Sequence, residues 1–134
     1  QKKIDLACHF IKAYAFNLNE SNSRIKDFDE ISRWCRENKI NLYLNLMAEN
    51  YQFADSLVGK DLVFLMRQNR DFLVKRYTRD NCKVVDNLEA VEGKDFIDVE
   101  WTTEHYRYKG RMRIAKNLAT QLKDQFKNAY KEVY

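Results

Sequence analysis

The chain has 134 residues, a net charge of +4 and 45% hydrophobic residues, which is the size and apolar content of one folded domain and excludes a disordered segment. Its three glycines and lack of proline exclude the turn-rich all-β sandwiches and barrels and favour a helical protein. No apolar stretch approaches the roughly 20 residues of a membrane-spanning helix, and the three cysteines, which lack CxxC spacing, predict neither a disulfide framework nor a zinc site.

Two helices are predicted in the first third of the chain. Apolar residues recur at helical spacing over residues 4–16. After a polar loop, Ser23 is predicted to cap a second helix that ends near Asn38. The residues expected on the buried face of the first helix are Ile4, Ala7, Cys8, Ile11, Tyr14 and Ala15, widened by Leu6 and Phe10. Those of the second are Ile25, Phe28, Ile31, Trp34 and Cys35.

The middle of the chain is predicted to run strand, helix, strand. Residues 40–46 alternate with period two, which indicates a strand, and residues 47–53 form the loop after it. Residues 55–79 have the pattern of one long helix. Its expected buried stripe is Leu62, Leu65, Met66, Phe72, Leu73 and Tyr77. The short, β-branched segment Cys82–Asp86 is predicted to be the second strand.

The last third is predicted to be an aperiodic loop followed by a long helix. Residues 87–106 show no clear period, and the helix begins at Arg107 or Tyr108. Its expected buried side is Met112, Ala115, Leu118, Ala119, Leu122 and Phe126. Strands separated by long helices predict right-handed crossovers, hence a helix-rich α/β fold with a small parallel sheet flanked by helices. Two strands are too few for a finished parallel sheet, so the pattern corresponds to part of a three-layer sandwich.

Charge changes sign along the C-terminal half. Residues 86–104 hold seven acids and one lysine, whereas residues 105–134 hold eight bases and two acids. Acidic residues before the N-terminus of a helix interact favourably with its dipole. The pattern therefore indicates that the basic residues form a solvated helix face and pair with the acidic loop that precedes the helix. A nucleic-acid surface needs a basic face without acidic neighbours, so we do not expect a nucleic-acid partner.

The most informative segment for chemistry spans residues 96–119. It places His105 in a loop, Gly110 five residues later, and then an amphipathic helix with small residues. Glycine permits the tight turn and the close packing that start such a helix against a sheet. The loop is expected at the carboxyl edge of the sheet, where open α/β folds place their sites.

This segment resembles the C-terminal block of the SGNH (GDSL-like) hydrolases, which carries Asp-x-x-His, a glycine turn and a helix with small residues. Residues 84–86 are similar to the last core strand of that family, and residues 40–50 to the penultimate strand and its loop. The resemblance extends over roughly residues 25–126. It is closest to the membrane-tethered cell-envelope branch, which includes the D-alanyl-lipoteichoic acid transfer and alginate O-acetylation proteins.

The resemblance implies a catalytic role for His105. In the family, the histidine is the general base for a serine nucleophile, and an aspartate three residues earlier orients the imidazole. Here Thr102 stands in place of that aspartate. Glu104, Glu100 or Asp98 is available to replace it, or the base acts in a dyad. The predicted catalytic set is therefore His105, Thr102 and Glu104.

The nucleophile block of the family is absent from the sequence. None of the four serines (Ser21, Ser23, Ser32 and Ser56) follows a predicted strand in a glycine-containing turn. The resemblance therefore implies the C-terminal part of an esterase or acyltransferase that acts on an acylated envelope polymer or a small ester. No cofactor and no metal are expected, any membrane contact would be made by a segment outside this chain, and the chain alone should hydrolyse no ester.

Alternatives stay open for the extent of the domain, for its function and for its localisation. Residues 1–134 are either a complete α/β domain or the C-terminal part of a larger one. The same loop would be structural in a non-catalytic binding module, and the basic C-terminal helix would be the surface of a nucleic-acid binder. For localisation, the unpaired cysteines favour a reducing compartment such as the cytoplasm, whereas the resemblance implies the cell envelope.

Overall fold

A computed structural model of the chain describes residues 1–79, 81–97 and 105–131, with side chains as far as residue 123. Within these ranges the chain forms α1 (Lys2–Tyr14), α2 (Ser23–Glu37), β1 (Leu42–Leu46), α3 (Tyr51–Leu57), α4 (Lys60–Tyr77), β2 (Cys82–Asp86), a single 3₁₀ turn (Gly93–Asp95) and α5 (Tyr108–Lys131). The predicted helix-rich α/β fold is confirmed.

The two strands pair in parallel, with Leu42 opposite Cys82 and Leu46 opposite Asp86. Helices α3 and α4 form the crossover between them, as predicted for a parallel sheet. The first strand begins two residues later than predicted, because Ile40 N–H donates to the Cys35 carbonyl at 2.8 Å and completes the end of α2. Flanking helices and a two-stranded parallel sheet therefore make up the described architecture.

The predicted helix over residues 55–79 is in fact two helices. Gly59 separates them with φ 116° and ψ 175°, a backbone conformation that residues with a side chain rarely adopt. The first of the two, α3, begins at Tyr51 inside the predicted loop, because the Asn50 side chain caps it by accepting from Phe53 N–H at 3.2 Å. A similar correction applies to α2, which is capped by the Asn22 side chain and not by Ser23.

The buried faces of α1 and α2 differ from the predicted ones. On α1 the fully buried residues are Leu6 and Phe10, and both Ile4 and Ile11 are exposed. On α2 the buried residues are Ile25, Ser32 and Cys35, whereas the expected core residues Phe28, Ile31 and Trp34 are 42%, 48% and 57% exposed. Helical spacing located both helices, but neighbouring elements decide which side of a helix is covered.

The buried side of α5 is also rotated from the predicted one. Gly110 and Ile114 are buried and Leu118 is half-buried, whereas Met112 is 50% exposed and Ala115 and Ala119 lie on the surface. The predicted stripe of α4, in contrast, is largely confirmed: Leu62, Met66 and Tyr77 are buried.

Two hydrophobic clusters hold the elements together. One joins α1 to the crossover helices and is centred on Phe10, whose ring lies 6.2 Å from that of Phe53 in an edge-on arrangement. The other lies at the carboxyl end of the sheet and consists of Ala48, Val91, Phe96, Tyr106 and Ile114. This second cluster joins the ends of both strands to the start of α5, and it therefore positions the residues around His105.

Candidate functional site

His105 lies between β2 and α5, in a segment called here the histidine loop (residues 95–97 and 105–107). Phe96 and Tyr106 form an isolated antiparallel bridge, Ile97 N–H donates to the His105 carbonyl at 2.8 Å, and Arg107 N–H donates to the Asp95 carbonyl at 2.7 Å. These bonds hold the backbone of residues 95–97 against that of residues 105–107. The residue itself is exposed, so its backbone is held while its side chain lies at the surface.

Tyr106 joins the His105 segment to the end of the first strand. Its hydroxyl donates to the Ala48 carbonyl at 2.8 Å, and its ring packs against that of Phe96 with centroids 5.4 Å apart. Because Ala48 follows β1 by two residues and Tyr106 follows His105 directly, this contact places the histidine loop at the carboxyl edge of the sheet. That is the position where parallel sheets commonly carry their sites.

Gly110 is packed as closely as the sequence predicted. A Cβ added there would lie 3.0 Å from Val91 Cγ1, 3.1 Å from Tyr106 Cβ and 3.3 Å from the Asp95 carbonyl oxygen. The first turn of α5 therefore lies directly against the segment that follows β2, with no room for a side chain at this position.

Buried polar residues follow both strands at the same edge. Glu49 and Asn50 come after β1 and are 8% and 5% exposed; Asn87 comes directly after β2 and is 1% exposed. A chain of amides crosses the edge: Asn117 Nδ2 donates to Asn87 Oδ1, and Asn87 Nδ2 donates to Asn45 Oδ1, each at 2.7 Å. This chain connects α5 to both strands. Spacing in the sequence gave no sign of it, because its members lie 42 and 30 positions apart.

Asp95 is a buried carboxylate at the base of the histidine loop. It is 5% exposed, and its Oδ2 atom has no hydrogen-bond partner among the residues that the structure describes. An uncompensated buried carboxylate oxygen is energetically unfavourable and uncommon in folded proteins, which makes Asp95 a further candidate residue of this edge. No feature of the sequence separates Asp95 from the other acids of the aperiodic stretch that precedes His105.

The other predicted site residues fall outside the described part of the chain. Thr102 and Glu104 lie in the interval between residues 97 and 105, as do Asp98 and Glu100. All four serines are described, and none directly follows a strand: Ser32 is buried on α2, and the Ser56 hydroxyl donates to the Phe53 carbonyl on α3.

Ion pairs connect the acidic segment to the basic helices around it. Glu92 accepts from Arg113 of α5 at 3.1 Å and from Lys94 at 2.7 Å, and Glu89 pairs with Arg67 of α4 at 2.6 Å. Hydrogen bonds from Lys94, which has the larger effect, and from Arg113 lower the pKa of Glu92. A hydrogen bond from Arg67 lowers the pKa of Glu89. The predicted pairing of the acidic loop with the C-terminal helix is therefore present at Glu92.

Comparisons with known protein families, with curated proteins and with solved structures found no match to this chain. Over the described ranges, no three His, Cys, Asp or Glu side chains are grouped so that they could hold a metal ion. Among the described helices, none combines the length and the apolar character needed to span a membrane.

Proposed function

We propose that this chain is the C-terminal part of an SGNH-like esterase or acyltransferase, with His105 as its general base. The observation that supports this most is the path of the chain at the carboxyl edge of the sheet: β2, the segment of residues 87–97, then His105, and then α5, which packs against Val91 and Asp95 at Gly110. In the SGNH hydrolases, which the C-terminal sequence resembles, the histidine follows the last core strand and precedes a helix in the same order. The substrate class is an ester of a cell-envelope polymer or a similar small ester.

The chemistry needs a nucleophile that this chain does not supply. A serine hydroxyl from elsewhere in the protein attacks the ester carbonyl carbon while its proton moves to a neutral imidazole nitrogen of His105. The imidazolium then returns the proton to the leaving alkoxide, and a water or an acceptor hydroxyl removes the acyl group from the serine. An exposed side chain on a fixed backbone suits this role, because a base must reach the proton in a defined position.

A carboxylate next to the histidine would fix its tautomer and stabilise the imidazolium. We assign this role to Glu104, with Asp98 and Glu100 as the alternatives, and assign to Thr102 the shaping of the loop. The amide chain of Asn45, Asn87 and Asn117 has a supporting role, since it anchors α5 to the sheet and thereby holds the loop in place.

The chain by itself is expected to be inactive. Incubated with p-nitrophenyl acetate, it should release nitrophenol no faster than its His105→Ala variant, because no serine is placed to be acylated. Turnover by the chain alone that is lost in His105→Ala would contradict the assignment of the nucleophile to another segment.

The role of His105 is tested in the longer protein that contains this chain. His105→Ala should lower kcat by about 10²–10⁴-fold, the usual contribution of a general base. His9→Ala is the matched control, since His9 is the other histidine of the chain and lies exposed on α1. If His105→Ala folds and retains the activity of His9→Ala, the base assignment is wrong, and the loop belongs to a non-catalytic binding module.

A further inference from the structure

A second concave feature lies at the opposite edge of the sheet. It is a pocket of about 250 Å³ between α2 and the end of α4. Among the described residues, its walls contain four arginines and one acid: Arg33, Arg36, Arg76, Arg79 and Asp29. Arg79 precedes the first residue of β2, Cys82, by three positions, so this pocket is at the amino edge. His105 is at the carboxyl edge, and the two sites are therefore separate.

The acid of the pocket is already neutralised. Arg76 holds Asp29 with two hydrogen bonds, Nε to Oδ1 at 2.9 Å and Nη2 to Oδ2 at 2.7 Å, and its remaining nitrogen donates to Glu20 at 3.0 Å. These bonds lower the pKa of Asp29 and raise that of Arg76. Asp29 therefore does not balance the charge of the other three arginines.

Those three arginines form no ion pair with any residue that the structure describes. Arg33, Arg36 and Arg79 are exposed, and Arg79 Nε donates to the Arg76 carbonyl at 3.3 Å. Toward the described residues, the two terminal nitrogens of Arg79 make no hydrogen bond. Among the described residues, four arginines therefore stand against Asp29 and Glu20, a surplus of two positive charges, and Arg33, Arg36 and Arg79 are accessible to a solute.

Neither Tyr77 nor the helix dipoles account for this surplus, although Glu30 and Glu37 lie beside Arg33 in an adjoining groove. The Tyr77 hydroxyl donates to the Ile25 carbonyl at 3.1 Å, and burial raises the pKa of Tyr77 to about 12, so it carries no negative charge near neutral pH. The last turns of α2 and α4 favour cations and explain Arg36 and Arg76. Arg33 lies one turn earlier in α2 and Arg79 lies beyond α4, where that effect has faded.

We propose that this pocket binds a phosphate group. Guanidinium groups bind phosphate with two parallel N–H donors each, and several of them around one cavity match the charge and the oxygen geometry of a dianion. The phosphate belongs either to a small soluble molecule or to a lipid headgroup. For the lipid source, Arg33 also lines an adjoining groove in which Ile31 and Trp34 expose apolar side chains that suit a membrane interface. Glu30 and Glu37 line the same groove and favour the soluble source instead.

The first test is the effect of inorganic phosphate on the melting temperature, with chloride at the same ionic strength as the reference. Phosphate should raise the melting temperature in a saturable manner, whereas chloride should not. Arg36→Gln should weaken the apparent affinity for phosphate about 10-fold, the equivalent of one charge-assisted hydrogen bond. Without phosphate, the same variant should melt within about 3 °C of the wild type, because the lost attraction to the helix dipole and the relieved repulsion between arginines oppose each other.

Arg24→Gln is the matched control, since Arg24 is an exposed arginine of the same helix, outside the pocket and 3.6 Å from Asp27. It should leave the phosphate affinity unchanged. If Arg36→Gln does not fold, Arg33→Gln replaces it. The proposal is overturned if phosphate raises the melting temperature no more than chloride does and the protein also fails to bind the phosphatidic acid vesicles described below. It is also overturned if Arg24→Gln weakens phosphate binding as much as Arg36→Gln does.

The second test separates the two sources of phosphate. Vesicles of phosphatidylcholine and vesicles of equal parts phosphatidylcholine and phosphatidic acid are sedimented with the protein. Co-sedimentation that needs phosphatidic acid and is weakened by Arg36→Gln assigns the pocket to a lipid headgroup. Saturable stabilisation by free phosphate without vesicle binding assigns it to a soluble phosphate compound.

Discussion

Gly110 lies in the first turn of α5, two residues after the helix begins, and its lack of a side chain is a packing requirement. In Gly110→Ala the new methyl group would lie 3.0 Å from Val91 Cγ1 and 3.3 Å from the Asp95 carbonyl oxygen. Alanine gains about 1 kcal/mol in helix propensity, but overpacking costs about 1–3 kcal/mol. We expect a net loss of about 1 kcal/mol in the free energy of unfolding, measured by urea denaturation.

Lys109→Ala is the control for this substitution, because Lys109 is the preceding residue and is exposed. It should change the free energy of unfolding by less than about 0.5 kcal/mol. Equal stability of the two variants would show that the contact with Val91 and Asp95 is not close.

The pair of Arg76 and Asp29 should make stability depend on pH in acid. Hydrogen bonding to Arg76 lowers the pKa of Asp29 below its ordinary value of 3.8, so the stabilisation is complete above that value and is lost as the pH falls through the folded-state pKa. We expect Asp29→Asn to lower the free energy of unfolding by about 1 kcal/mol at neutral pH, a modest value because the pair is partly solvated.

Denaturant titrations at several pH values test this expectation. The difference between wild type and Asp29→Asn should shrink below about pH 4. Asp27→Asn is the control, since the ion pair of Asp27 with Arg24 is long (3.6 Å) and exposed. A difference at Asp29 that stays constant down to the lowest pH would contradict the role of the charged carboxylate.

The sequence identified single residues where the information is local and missed those where it is not. His105 and Gly110 lie five positions apart, and both are where their spacing placed them, at the carboxyl edge and the start of α5. Asn87 and Asn117 are 30 positions apart and meet only because the chain folds. Asp95 is one of seven acids in residues 86–104, and the sequence does not predict that its side chain is buried.

At the scale of elements, Gly59 decides how the crossover is built. It has open space around its Cα, with nothing within 4 Å of an added Cβ, but its φ of 116° lies outside the range that side chains favour. Gly59→Ala should therefore lower the free energy of unfolding by about 1–3 kcal/mol through backbone strain alone. Urea denaturation measures it, with the exposed neighbour Lys60→Ala as the control. Equal stability would mean that α3 and α4 can join without this conformation.

Hydrophobic spacing predicted the elements better than their faces. Periodicity depends on the local repeat, and it located all three of the longest helices. The buried side depends on which other elements pack against the helix, so Phe28, Ile31 and Trp34 are exposed although they share a face. The break at Gly59 was missed because one glycine does not interrupt an apolar pattern that continues on both sides.

At the scale of the whole molecule, the sheet has two open edges in the described part of the chain. Leu42 N–H donates to Asn81 and Asn87 N–H donates to Leu46, and bonds in a parallel ladder involve alternate residues. Leu44 and Val85 therefore donate into the ladder, and the amides of Asn45 and Val84 point outward, away from the partner strand. In the chain alone, hydrogen exchange of Asn45 and Val84 should be faster than that of Leu44 and Val85.

The proposed larger sandwich predicts a change at only one of these edges. In a flavodoxin-like order the last strand lies at the edge and the penultimate strand is covered by an earlier one. In the longer protein, the Asn45 amide should therefore become protected from exchange, and Val84 should stay as fast as in the chain alone. Val84 serves as the internal control, because both amides are compared in one sample. Fast exchange at Asn45 in the longer protein would mean that no further strand pairs with β1, and the chain would then be a complete two-stranded domain.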